Sequence, residues 1–176
     1  MNSDIKKWLQ EVSKNSLSRI GIKSGMNVLD FGAREGYNTL TAARIVNSEG
    51  KVVAVDEDQK ALNTLKEKMF KKSIENIEII NNKGKPDFDI NDNSIDFIIL
   101  FDVFHELQDT DKFFKEFQRI LKNKGILSVF DPHVESIKEM KDKITSYNFL
   151  LKDNLKVDLL HNYKLMRGKV NNFIYI

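Results

Sequence analysis

Short apolar segments alternate with amphipathic ones along most of the chain. The apolar segments have the length of buried strands and lie at residues 26–31, 51–56, 77–80, 95–101 and 126–130. Apolar residues spaced three and four apart predict helices over about 36–46, 58–72 and 135–145. Two further helical stripes are Ile5, Trp8, Leu9 and Val12 near the start, and Phe113, Phe114, Phe117, Ile120 and Leu121, which Asn123-Lys124-Gly125 should end.

This alternation predicts one doubly wound α/β domain over residues 1–176, with a helical segment at 1–20. Strands that are apolar throughout fit a parallel sheet covered on both faces. The tail, roughly 149–176, alternates apolar and polar positions around a turn signal at Arg167-Gly168, which predicts a closing antiparallel hairpin. Ligands of such sheets bind beyond the carboxyl ends of the strands. Those ends are Asp30-Phe31, Asp56, Asn81-Asn82, Phe101-Asp102 and Asp131.

Composition excludes several classes of protein. The 176 residues, 41% of them hydrophobic, suffice for a real core. Because the chain has no cysteine and only three dispersed histidines, disulfides, thiol chemistry and zinc are not expected, and no metal site is predicted. A net charge of +2 gives no footprint for nucleic acid, and no apolar run is long enough for a membrane. The charged N-terminus lacks a signal-peptide core, so a cytoplasmic protein is expected.

The turn after the first strand carries the first candidate chemistry. Gly32 and Gly36 lie where a strand passes into a helix, so the backbone can approach a ligand closely and the helix N-terminus can meet an anion. A tight turn without a ligand would use the same glycines. At the end of the second strand, Asp56 could accept hydrogen bonds from both ribose hydroxyls of an adenosine. A lone Asp there could equally be a solvated cap.

Spacing and charge select among adenosine cofactors. A dinucleotide fingerprint needs glycines where this chain has Arg34 and Tyr37, and the chain has no Walker-type Gly-Lys-Ser/Thr sequence. Asp30 lies inside the turn, where its charge would repel a pyrophosphate and attract an ammonium or a sulfonium. The pattern therefore favours S-adenosylmethionine over NAD or ATP.

Two longer blocks resemble class I S-adenosylmethionine-dependent methyltransferases. Residues 21–32, GIKSGMNVLDFG, are similar to the entry of that family's first motif. Residues 101–107, FDVFHEL, and 117–127, FQRILKNKGIL, are similar to its later block, in which a strand end, a helix and a turn precede the fifth strand. Together with Asp56, the resemblance spans about residues 20–131. It implies a Rossmann-like methyltransferase fold, with a mostly parallel seven-stranded sheet and the hairpin at its edge.

The resemblance also implies how the cofactor is held. The two glycines would shape the pocket for its methionine half, and Asp56 would hold the ribose. Asn82 would accept a hydrogen bond from the adenine amino group, and Phe101 would offer its carbonyl to the cofactor's own amino group. The expected cofactor-binding residues are Asp30, Gly32, Ala33, Gly36, Tyr37, Asp56, Glu57, Asn82 and Phe101.

Methyl transfer depends mainly on positioning. A general base is needed only where the acceptor carries a proton of high pKa. His105, Asp131 and His133 lie near the strand ends and could supply one. His105 is the preferred catalytic candidate because it follows the fourth strand closely, although a helix-cap histidine would occupy the same position. His133 follows Pro132 and fits a loop.

The leading hypothesis is a methyltransferase that acts on a small molecule, because no appended domain is expected to read a protein or a nucleic acid. Few residues precede the core, so the acceptor site should be open or completed by a second copy in a homodimer. Arg34 stands where glycine is usual, and it would either crowd the pocket or point outward. Together with Asn82, which stands where the family often has an acid, it leaves open a subunit or sensor that binds the cofactor without turnover. A nicotinamide-dependent oxidoreductase is disfavoured by the missing third glycine.

Overall fold

Five helices and seven strands make up the part of the chain that the computed structural model describes, residues 3–161 and 164–176, with side chains described for 8–159 and 166–176. The helices are α1 Ser3–Arg19, α2 Tyr37–Val46, α3 Gln59–Lys71, α4 Thr110–Ile120 and α5 Ile137–Thr145. The strands are β1 Asn27–Phe31, β2 Lys51–Asp56, β3 Ile77–Asn81, β4 Ile95–Phe101, β5 Leu121–Phe130, β6 Phe149–His161 and β7 Lys164–Tyr175. Short 3-10 helices cover Asn47–Glu49 and Phe104–Glu106.

The strands form one mixed sheet in the order β3-β2-β1-β4-β5-β7-β6. The first five strands pair in parallel, and β7 runs antiparallel to both β5 and β6. The predicted seven-stranded sheet with a closing hairpin is confirmed. Its order reverses between β1 and β4, so the carboxyl ends of these strands flank the crevice where open α/β sheets bind ligands.

Two apolar cores cover the two faces of the sheet. Val28 of β1 lies in one core and its neighbour Leu29 in the other, because successive side chains of a strand point to opposite faces. Phe97 and Ile98 of β4 divide in the same way. Burial on both faces explains why these strands are apolar throughout.

The end of α4 differs from the prediction. The helix ends at Ile120, and Leu121 already pairs with Ile95 as the first residue of β5. The backbone N–H groups of Asn93 and Ser94 donate to the carbonyls of Arg119 and Ile120. Because the loop before β4 satisfies the last helical carbonyls, the helix can end before the Asn-Lys-Gly sequence.

The hairpin also reverses elsewhere than predicted. Arg167 and Gly168 lie within β7, and pairing continues until His161 stands opposite Lys164. A Cβ at position 168 would lie 2.1 Å from the ring of Phe130 on β5. The glycine therefore allows a close approach of an aromatic ring, and it marks no turn.

Helix α1 is present as predicted, but its buried face overlaps the predicted one only at Leu9 among the buried residues. Trp8 is 55% exposed, whereas Leu9, Ser13, Ser16 and Leu17 are buried. The Ser16 hydroxyl donates to the carbonyl of Asp158 on β6 over 2.5 Å. The pattern of apolar residues missed this face because small serines occupy half of it.

No helix within residues 3–161 and 164–176 is long and apolar enough to cross a membrane. The side chains of Ile5 and His161 lie outside the described residues.

Candidate active site

The turn between β1 and α2 is fixed by backbone hydrogen bonds to β2. The N–H groups of Gly32 and Ala33 donate to the carbonyl of Val55 over 2.9 and 3.1 Å. Gly32 and Gly36 have φ angles of +76° and +81°, in the region that favours glycine. The turn is thus positioned by the same strand that ends in Asp56.

Both glycines also allow close packing. A Cβ at Gly32 would lie 3.0 Å from Val103, and one at Gly36 would lie 2.3 Å from Leu65 on α3. These neighbours are protein side chains. The glycines are therefore explained by packing within a tight turn as well as by the approach of a ligand.

Arg34 lies in the left-handed region, with φ +48°, and its side chain is exposed. Of the two orientations considered from the sequence, the structure shows the outward one. The backbone N–H of Arg34 donates to Oδ2 of Asp56 over 2.7 Å. The residue therefore contributes its backbone to the site and keeps its cationic group in solvent.

The Asp56 carboxylate is buried and joins the turn to the next helix. Its Oδ1 accepts from the N–H of Asp58, the N-cap residue of α3, over 2.8 Å. Each of its oxygens accepts one backbone N–H, and a carboxylate oxygen has a second lone pair for a further donor. Glu57 is exposed beside Gly84 in the loop after β3.

Asp30 is buried at the end of β1, against the first turn of α2. Its Oδ2 accepts from the Thr39 hydroxyl over 2.5 Å. Burial raises the pKa of Asp30 to about 6, with a smaller contribution from the nearby charge of Asp56, while the hydrogen bonds from Thr39 oppose the rise. The site thus contains a carboxylate that is held in place but poorly solvated.

Asn82, just after β3, is buried and only half satisfied. Its Nδ2 donates to the carbonyl of Lys85 over 2.8 Å, whereas its Oδ1 has no hydrogen-bond partner. Buried acceptors are rarely left unpaired in native proteins. At the end of β4, Phe101 is buried, and its ring meets that of Phe130 edge-on at 6.1 Å.

Lys68 on α3 reaches the turn, although a run of four lysines, here over residues 66–72, is typical of the solvated face of a helix. Its Nζ donates to both the carbonyl and the carboxylate of Glu35 over 3.0 Å. The same ammonium lies 5.0 Å from the centre of the Tyr37 ring. Helix α3 therefore supports the turn with a cation as well as with Leu65.

We expect Lys68→Met to loosen the turn. Losing the hydrogen bonds to Glu35 should lower the free energy of unfolding by about 1 kcal/mol and weaken binding of S-adenosylhomocysteine several-fold. Lys66→Met is the matched control, because Lys66 is an exposed lysine on the same helix. Urea unfolding and calorimetric titration of both variants measure the two effects. Equal behaviour of the variants would show that Lys68 does not support the turn.

A second group of polar residues lies beyond β4 and β5. His105 is in the 3-10 helix after β4, and its Nδ1 is 2.8 Å from Oδ2 of Asp131, at the end of β5. His133 lies with its ring 5.0 Å from that of His105. The sequence named these three as separate candidates, and the structure brings them together. One carboxylate oxygen each of Asp102 and Asp131 and one ring nitrogen of His105 lie within 4.8 Å of one another.

The chain matches the methyltransferase-domain family over residues 22–171. It belongs to that family. The predicted class of protein is thereby confirmed, and S-adenosylmethionine is the cofactor of this class. This methyltransferase domain has its glycine turn, Asp30 and Asp56 at the carboxyl ends of β1 and β2.

Solved structures and curated proteins that are similar to this chain are also methyltransferases. A SAM-dependent methyltransferase from Aquifex aeolicus has the same fold, with a TM-score of 0.81, 24% identity, and coverage of 99% of this chain and 98% of that one. A demethylmenaquinone methyltransferase of Listeria monocytogenes is 26% identical over 80% of this chain and 57% of its own length. A probable cobalt-precorrin-6B C(15)-methyltransferase of Saccharolobus solfataricus is 32% identical over 42% of this chain and 34% of its own. The chain thus spans between about a third and somewhat over half of these curated relatives.

Proposed function

We propose that this methyltransferase domain transfers a methyl group from S-adenosylmethionine to a small-molecule acceptor. The observation that carries the proposal is the unpaired Oδ1 of Asn82, buried at the carboxyl edge of the sheet on which Asp56 and the glycine turn also lie. An amino group on the ligand would satisfy that oxygen, and adenine carries one. A buried carboxylate at Asp30 adds a partner for a cationic group.

The residues present fit the cofactor at each of its parts. Asn82 would face the adenine amino group and Asp56 the ribose, with Glu57 beside it. Gly32, Ala33, Gly36 and Tyr37 would surround the methionine half, and Phe101 would present its carbonyl to the ammonium. Bound there, the cofactor would supply an electrophilic methyl carbon, while the chain orients the acceptor and excludes water.

Calorimetry with two nucleosides tests this assignment. We expect S-adenosylhomocysteine to bind about tenfold more tightly than S-inosylhomocysteine, because the inosine base offers an oxygen where adenine offers a donor to Asn82. Asn82→Leu should remove the preference, whereas Asn82→Asp keeps an acceptor and should retain it. If neither nucleoside binds at millimolar concentration, the proposed function is excluded. A preference unchanged in Asn82→Leu would move adenine recognition to another residue.

The alternative of a cofactor-binding subunit without turnover rested on Arg34 and on Asn82, which stands where the family often has an acid; the Asn82 side chain still offers a buried acceptor. The exposed side chain of Arg34 removes the argument that a cation crowds the pocket. Turnover is therefore the favoured hypothesis, and release of S-adenosylhomocysteine in the presence of an acceptor is its direct assay. Completion of the acceptor site by a homodimer stays a prediction.

A further inference from the structure

The carboxyl ends of β4 and β5 carry an imidazole and a carboxylate that face each other. The two strands are neighbours in the sheet, with Phe101 opposite Phe130 at their ends. His105 follows β4 by four residues, and Asp131 follows β5 directly. Because parallel strands end at the same edge, the two side chains meet although they are 26 residues apart.

Asp131 is fixed more firmly than a surface carboxylate. Its side chain is fully buried, its Oδ2 accepts from the backbone N–H of His105 over 3.0 Å, and its Oδ1 accepts from the N–H of His133 over 2.9 Å. The same Oδ2 lies 2.8 Å from Nδ1 of His105. A carboxylate oxygen cannot donate, so Nδ1 must carry the proton, and the lone pair of the neutral ring is on Nε2.

We propose that the His105–Asp131 pair is a general base, with Nε2 of His105 taking a proton from an acceptor hydroxyl and Asp131 acting as a positioning residue. This inference rests on the proposed function. In the reaction, the bond from the methyl carbon to sulfur breaks, and sulfur keeps the electron pair. The acceptor oxygen bonds the carbon, and its proton passes to Nε2 and then to water.

The chemistry of the pair defines the class of acceptor. A carboxylic acid is ionised near neutral pH and a thiol is partly ionised, and both react as the anion, so a base adds little to their reactivity. A phenol-like hydroxyl, with a pKa near that of tyrosine, keeps its proton at neutral pH and is still acidic enough to pass it to an imidazole. The acceptor that the pair fits is therefore a phenol or an enol.

Charged groups around His105 favour its protonated form. The hydrogen bond with Asp131 contributes most to raising the pKa of His105 above its usual value; partial burial opposes it, and the charges of Asp131, Glu106 and Asp102 add to the rise. Glu106 Oε1 lies 3.8 Å from Nε2. The ring of His133 lies 5.0 Å from that of His105; it is mostly exposed, and its Nε2 is 3.5 Å from Asp102.

The first test measures the tautomer of His105 in the complete chain by nitrogen NMR. Wild type should show the Nδ1–H form and a pKa above the ordinary value. Asp131→Asn should lower that pKa and move the neutral proton to Nε2, since an amide can donate to Nδ1. Glu106→Gln is the control, because it removes a nearby charge and leaves the hydrogen bond intact. A tautomer that Asp131→Asn does not change would overturn the positioning role.

The second test measures transfer of labelled methyl groups from S-adenosylmethionine to phenol, catechol, aniline and thiophenol. We expect transfer to the two phenols, with a rate about 10²- to 10⁴-fold lower in His105→Gln and Asp131→Asn. His105→Gln alters a partly exposed side chain and serves if Asp131→Asn does not fold. Transfer to aniline or thiophenol alone, or no transfer to either phenol, would overturn the acceptor class. Calorimetric cofactor binding in the same samples separates either result from failure of the proposed function.

Discussion

Replacing Asp30 with Asn should stabilise the ligand-free protein at pH 7 while weakening its binding of S-adenosylmethionine. The carboxylate is buried and must be ionised at that pH, at a cost that its pKa of about 6 reflects. An Asn side chain keeps an acceptor for the Thr39 hydroxyl and carries no charge. Because the same charge is the proposed partner of a cationic ligand, stability and affinity should move in opposite directions.

The stability effect has a defined pH dependence. The folded pKa of Asp30 lies above the ordinary 3.8, so the folded protein retains a proton that the unfolded chain has released between about pH 4 and pH 6. Stability from this group is therefore highest below pH 4 and falls until about pH 6. Across that window the difference between variant and wild type should grow by up to about 3 kcal/mol. Urea unfolding at several pH values measures it.

Other acidic groups do not obscure this difference. The pKa values of Asp109, Asp111 and Asp158 are lowered, mainly by hydrogen bonds with Lys112, Tyr147 and Arg167 respectively. The stability that these three groups contribute is lost as the pH falls, so its dependence on pH is opposite to that of Asp30. Because these groups are the same in both proteins, subtracting the two pH profiles isolates Asp30.

Three ligands separate the binding effect from a structural one. S-adenosylmethionine carries a sulfonium and an ammonium, S-adenosylhomocysteine only the ammonium, and 5′-methylthioadenosine neither. Asp30→Asn should weaken the first by about tenfold or more, the second by less, and the third hardly at all. Equal weakening of all three would mean that Asp30 acts only by supporting α2. Unchanged binding of the first would exclude Asp30 as a partner of the cation.

The sequence predicted the fold well because its strongest signals are also the strongest physical constraints. A strand covered on both faces must be apolar throughout, and such runs located β1, β2 and β4 within a residue of their observed bounds. Helix α4 shows where this reasoning stops. Its end depends on the pairing of Leu121 with Ile95 and on N–H groups from a distant loop, so no local pattern at 123–125 could reveal it.

The candidate site residues were named from the sequence one at a time, without the contacts between them. The ends of the predicted strands located the candidates, because the last residues of all parallel strands lie at the same edge of the sheet. Which of them touch depends on strand order and loop geometry. His105 and Asp131 meet because β4 and β5 are neighbours, a fact that the sequence alone left open. The support from Lys68 was missed because a lysine run on a helix usually faces solvent.

Gly36→Ala should destabilise the protein more than any other Gly-to-Ala change in the turn, since two costs add. Its φ of +81° costs an alanine about 1–2 kcal/mol. The new methyl group would also lie 2.3 Å from Leu65 in the core. Such overpacking typically costs a further amount of about 1–3 kcal/mol. Gly25→Ala is a matched control, because φ there is +78° and the nearest atom lies 4.0 Å away.

Chemical unfolding of the two variants should therefore differ by the overpacking contribution alone. A double-mutant cycle with Leu65→Ala gives the same quantity independently, because shortening Leu65 relieves the contact only when position 36 carries a methyl group. Calorimetry with S-adenosylhomocysteine then shows whether the turn has moved. We expect weaker binding in Gly36→Ala and unchanged binding in Gly25→Ala, since Gly25 precedes β1 at the opposite end of the strand from the site. If both variants bind equally well, the turn accommodates the methyl group without shifting, and Gly36 is required by packing rather than by the ligand.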